Sequence, residues 1–248
     1  MRTVRTGALV MVLVVAVLGG AGCTQISRKA AGADSARAPG QTPARPILET
    51  VAWGVVDGML SVVVENTSDR TLRSAVGVIT ARDRDDVLVA TSLESPDGCC
   101  AVVDLPPGQR FGFYVDIGEG AADVTRVDVA YRNVAWAPAA EQQPNPLTAH
   151  PVGIDSSTDG AVVVADVRST EPTVAQASVQ AFLNGPDGEF LAVVAGRWYC
   201  FAGGDNEIRM QLPHPVPAGT TVERVVVHPV TDDAGGAAPP CAGPSQAG

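Results

Sequence analysis

Five cysteines and three histidines carry most of the chemistry that this 248-residue chain offers. Cys99 and Cys100 are adjacent, Cys200 follows a Trp-Tyr pair, Cys241 lies near the C-terminus, and Cys23 stands alone at the end of an apolar stretch. No Cys-x-x-Cys spacing is present, so structural cross-linking ranks ahead of dithiol exchange. His150, His214 and His228 each precede a proline, which drives the preceding residue to extended backbone. That places them at solvent-exposed strand ends or loops. A three-histidine metal site would need all of them to converge from two domains, and no metal site is assigned. The chain also lacks a Gly-x-Ser-x-Gly elbow, a His-Glu-x-x-His helix and a phosphate loop, so no catalytic residue and no cofactor is assigned.

Two acidic groups have the ligand type that calcium takes: Asp83, Asp85 and Asp86, and further on Asp155 and Asp159. Arg82 and Arg84 interleave with the first group and neutralise the charge a cation needs. A solvated hairpin accounts for it. Trp198-Tyr199 is the densest aromatic pair in a chain that is only 4% aromatic, and core or junction packing is the reading it receives.

The elements that position these groups begin at the N-terminus. Arg2 and Arg5 precede an apolar run from Gly7 to Leu18, which is followed by Gly19-Gly20-Ala21-Gly22 and Cys23. Twelve residues fall short of the roughly 20 that a bilayer-spanning helix needs, but they suit the core of an export signal. The segment resembles the bacterial lipobox, with Gly20 where that motif usually carries leucine. The resemblance implies cleavage before Cys23 and a diacylglyceryl group on its thiol. Each buried methylene contributes about 0.8 kcal/mol, so two or more chains hold a protein stably at a membrane. Residues 1–22 are then a signal peptide and 23–46 a lipidated cysteine with a disordered tether. The expected location is the extracytoplasmic face of the cell membrane.

In that oxidising compartment Cys99, Cys100, Cys200 and Cys241 form an even set with three possible pairings. Cys200 with Cys241 is the first choice, since it closes a long loop and constrains the unfolded chain. Cys99 and Cys100 are left as an adjacent pair, as free thiols or as an exposed redox or metal site. Neighbours on a strand point to opposite faces, so separate partners are also open to them.

Beyond the tether the chain reads as all-β, in two tandem antiparallel immunoglobulin-like sandwiches. The first occupies 47–137 and the second 150–231, with a Pro-rich linker at 138–149 and a flexible tail at 232–248. Valine-rich or alternating runs predict strands near 50–56, 59–65, 73–81, 87–91, 99–103, 110–117 and 125–131. The second module offers 161–167, 173–183, 189–194, 197–201, 207–212 and 221–228. Asp57-Gly58 is a two-residue hairpin signal, and Pro106-Pro107-Gly108 is a sharp break. The modules look duplicated. Asp57-Gly58, Leu60, Val62, Leu72 and Ala75 recur 102 positions later as Asp159-Gly160, Val162, Val164, Val174 and Ala177. Val124 to Val129 returns 98 positions later as Val222 to Val227.

The run Val62 to Ser68, Leu72, the strand into Asp83 to Leu88, Leu105-Pro106-Pro107-Gly108 and Phe111-Gly112-Phe113 resembles the FxLYD modules of bacterial envelope proteins. It covers most of the first module. The second replaces the proline-glycine entry by Ala202-Gly203-Gly204-Asp205. The resemblance implies an interaction or spacer module with no catalytic residue. A net charge of −10 argues against nucleic acid as a partner. Two function classes follow. One is a non-enzymatic envelope lipoprotein that binds a protein or glycan, or acts as a spacer. The other is a thiol-redox or metal-handling lipoprotein that uses Cys99 and Cys100.

Overall fold

The computed structural model describes residues 47–94, 99–138, 144–230 and 241, which lie within a compact unit spanning Pro46–Gly248. The expected signal, the expected tether with Cys23, and the expected tail apart from Cys241 lie outside the described residues. Strands β1 (Glu49–Val56), β2 (Met59–Glu65), β3 (Leu72–Arg82), β4 (Leu88–Thr91), β5 (Ala101–Leu105), β6 (Arg110–Asp116) and β7 (Arg126–Trp136) form the first half. Strands β8 (Leu147–Ser157), β9 (Gly160–Asn184), β10 (Phe190–Leu212) and β11 (Thr221–Pro229) form the second. Every pairing is antiparallel, and two short 3-10 turns are the only helical elements among the described residues. The chain is all-β.

Local chemistry explains most boundaries. Val56 pairs with Met59 across Asp57 (φ 44°) and Gly58 (φ 83°), the two positive values that a tight I′ hairpin demands. Asn66 closes the next loop. Its carboxamide donates to the Arg70 and Leu105 carbonyls at 2.8 Å each, and its Oδ1 accepts from the Ser68 amide at 3.1 Å.

The second half differs from the pattern read in the sequence. Strands expected at 161–167 and 173–183 are one continuous strand, β9. Those expected at 189–194, 197–201 and 207–212 are likewise one strand, β10. The two long strands remain paired through a corner where the register slips between Ala202 and Gly204. Gly204 at φ 92° allows the turn, and Ser169 Oγ donates to the Glu171 carbonyl at 2.8 Å on the facing strand. Strand β8 begins at Leu147, inside the expected linker, and tolerates Pro151 because it is an edge strand paired only with β9.

One pairing scheme occurs twice. A hairpin (β1–β2, β8–β9) pairs its second strand with a later one (β2–β6, β9–β10). The next stretch of chain pairs with the last strand of the half (β3–β7, β9–β11). The inward sets Leu72, Ala75, Ile79, Ala81 and Val174, Ala177, Ala181, Leu183 keep the 102-residue offset. At the hairpin the register is shifted by one. Ala161, Val163 and Ala165 are the inward residues, whereas Val162 and Val164 face away. In a run of three valines, alternation cannot reveal which face is inner.

Sheet β1-β2-β6 is a middle layer. On one face Leu60, Val62, Val64, Phe111 and Phe113 pack with Leu72, Ile79, Val102 and Leu105 of the β3 sheet. On the other, Val63 meets Phe182, Val193 and Val226 of the second half. Strand β2 is therefore buried on both sides at every residue from Met59 to Val64. Small residues make the second contact close. A Cβ on Gly54 would stand 2.5 Å from the Leu191 carbonyl oxygen, and one on Gly112 would stand 2.6 Å from the Val193 methyls. The Leu191 obstacle is backbone and has no rotamer to change. Gly54→Ala is therefore expected to lower stability by about 2–3 kcal/mol, read as a shifted urea midpoint at unchanged m-value.

Candidate functional site

Where the middle sheet meets the second half, its edge strand β6 is bonded to side chains. The Gly112 amide donates to Gln180 Oε1 at 2.8 Å, and Gln180 Nε2 donates to the Gly112 carbonyl at 2.9 Å. A primary amide thus occupies the place of a neighbouring peptide unit. Ser61 Oγ accepts from the Val193 amide at 3.0 Å, and His228 Nε2 lies 3.2 Å from the Arg110 carbonyl oxygen. That oxygen can only accept, so the neutral imidazole carries its proton on Nε2. His228 stands at the end of β11, as its following proline implied, but is 2% exposed, which corrects the solvent exposure inferred for it. It reaches the interior because Val225 and Val227 point into the second core, turning Val226 and His228 toward the middle layer.

Beyond Gly112 the capped edge opens into a cleft of ≈ 660 Å³. Tyr114 and Asp116 of β6, Ala195 of β10, His214 and the Cys99–Cys100 pair line it. Cys99 and Cys100 form a disulfide, with Cys100 at φ 88° and its carbonyl accepting from the Gly77 amide at 2.8 Å. The Cys99 sulfur stands 3.4 Å from the Tyr114 carbonyl oxygen, and as half of a disulfide it has no proton to donate. His214 Nδ1 lies 3.4 Å from the Asp57 carboxylate. Cys200 is joined to Cys241 across 41 positions, a closure worth about 4 kcal/mol of unfolded-chain entropy.

The other singled-out residues lie elsewhere. Asp83 Oδ1 accepts from the Asp85 and Val87 amides of its own loop at 2.9 Å each, and Asp86 pairs with Arg126 of β7 at 3.1 Å, so both carboxylates already have partners. His150 is exposed on β8, Asp155 and Asp159 flank a shallow depression, and Trp198 packs on the second core with Tyr199 outside it. Gln180 had no sequence signal, because Gln176, Ser178 and Gln180 alternate with Ala177, Val179 and Ala181 as they would on a strand with a wet face. Comparison of the chain with family models, curated proteins and solved structures returned no match.

Two glutamines on the same face of β9 make a direct test. Gln180 is bonded twice, whereas both amide atoms of buried Gln176 have no partner among the described residues. Gln180→Leu orphans the Gly112 N–H and C=O and is expected to cost about 2–4 kcal/mol, while Gln176→Leu is expected to stabilise by about 1 kcal/mol or more, both by denaturant melts. Acid provides a second test. Burial is the largest effect on His228 and lowers its pKa from the ordinary 6.5, partly opposed by the Arg110 carbonyl and by Asp104. The unfolded chain takes up the proton first, so stability declines as pH falls below about 6.5. His228→Gln should flatten that decline between pH 7 and 5 in thermal melts.

Proposed function

We propose that this chain is a non-enzymatic lipoprotein of the cell envelope, held at the outer face of the membrane through Cys23. Its tandem immunoglobulin-like modules bind an envelope protein or glycan, or act as a spacer. The observation that carries the reading is the pairing of Cys99 with Cys100 and of Cys200 with Cys241. All four cysteines after Cys23 are used in disulfides, as expected of an exported protein. Cys23 is the odd one left, and it sits where a lipid acceptor belongs. The twice-used strand pairing supports reading the two halves as modules of one kind.

A second reading is favoured by one feature. The Cys99–Cys100 disulfide lines a cleft and holds Cys100 in a backbone region that non-glycine residues rarely adopt. Such a pair suits thiol exchange. Thiol counting on the secreted, non-reduced protein separates the readings: four oxidised, unreactive cysteines exclude an exchanging dithiol. For the anchor, metabolic labelling with a fatty acid should mark the wild type and leave Cys23→Ser unlabelled. Equal labelling of both would remove the lipid anchor from the proposal.

A further inference from the structure

Among the described residues strand β6 has one strand partner, β2. The bonds from Gly112 to Gln180 fix the phase of its other edge. Residues alternate along an antiparallel strand, so Arg110, Gly112, Tyr114 and Asp116 all direct their peptide groups away from β2. The second half covers the first two: His228 faces the Arg110 carbonyl and Gln180 takes both groups of Gly112. The next two rungs enter the cleft. The Tyr114 amide and the Asp116 peptide groups have no backbone partner among the described residues, while the Tyr114 carbonyl lies 3.4 Å from the Cys99 sulfur. Across the cleft runs β10, whose one partner is β9. Its Val193 amide turns to Ser61 Oγ, so Ala195, in phase with it, also faces outward.

We propose that this cleft receives an extended peptide segment of a partner protein, which adds as a strand to β6 at the Tyr114 amide and the Asp116 peptide groups. The inserted strand continues the ladder that the Gln180 carboxamide begins. Unpaired peptide groups in phase with an established interface call for a backbone occupant, and a sugar or lipid chain cannot match their repeat. The volume lies within the 300–1,000 Å³ of ordinary ligand sites. Met59, Leu212 and the Cys99–Cys100 disulfide supply apolar wall for one set of alternate side chains. Exposed Asp116 is the one carboxylate among the lining residues and favours a basic residue in the other set. The inference rests on the non-enzymatic binding reading and names its partner class.

The probe is a fluorescein-labelled hexapeptide of alternating valine and threonine with one lysine, presented to the full chain. Two further forms carry N-methyl groups on alternate nitrogens, in one phase or the other. Anisotropy should show binding at or below millimolar peptide, with one methylated phase at least tenfold weaker and the other unchanged. Amide exchange at Tyr114 should slow at least tenfold on binding, while that of Phe113, already paired with Val62, stays as it was. Tyr114→Pro should abolish binding at unchanged melting temperature, because the amide it removes takes no part in the β2 ladder. Equal binding of both methylated forms would overturn the proposal, as would no binding at millimolar peptide. So would self-association of the chain or a soluble wall-glycan fragment being what protects Tyr114. None of these results bears on fatty-acid labelling, so the anchor and the cleft fail separately.

Discussion

The centre of the middle sheet, Met59 to Val64 of β2 with Phe111 to Phe113 of β6, has water on neither face, and the rest of the molecule is arranged around that constraint. A strand buried on both sides and at an edge leaves peptide groups that no solvent can satisfy, each costing about 1–3 kcal/mol if orphaned. The second half answers with polar side chains. Gln180 imitates a peptide unit, His228 meets the next carbonyl, and Ser61 returns a bond from the middle sheet to β10. Apolar contact among Val63, Phe182, Val193 and Val226 tolerates sliding; a bidentate amide on one glycine does not. These bonds therefore set the register between layers, and the small side chains at positions 52, 54, 61 and 112 let the backbones come close enough to make them.

The same arrangement places the cleft. Side chains that cap β6 reach only as far as Gly112, and β10 runs on along the other wall. The opening lies where the middle sheet outlasts its cover. The Cys99–Cys100 disulfide stands at this opening because β5 begins just after it, so one covalent ring contributes both to the first core, through Cys100, and to the wall of the cleft.

Much of the first half was legible because its strands alternate cleanly and its turns carry the residues that turns require, Asp57-Gly58 above all. The second half was harder for identifiable reasons. Val162-Val163-Val164 is apolar on both faces, so the hairpin register was legible only to within one residue. Pro151 and weak alternation hid β8. Nothing in the chemistry of residues 168–172 or of Gly203-Gly204 distinguishes a corner in one strand from a loop between two. The Cys200–Cys241 partnership could be reasoned from loop length, whereas the partners of Gln180 and His228 could not. Both lie on faces that look solvent-facing until a third layer is known to cover them.

The Cys200–Cys241 bond has a mechanical consequence. Tension applied at the C-terminus enters the fold through this sulfur bridge and arrives within β10, at Cys200, instead of at the end of β11. The final strand is bypassed and bears no load until the bridge is cut. A protein pulled from that end is therefore loaded near its long two-strand corner, where β9 and β10 share many rungs, and is spared the rung-by-rung unzipping of its last strand.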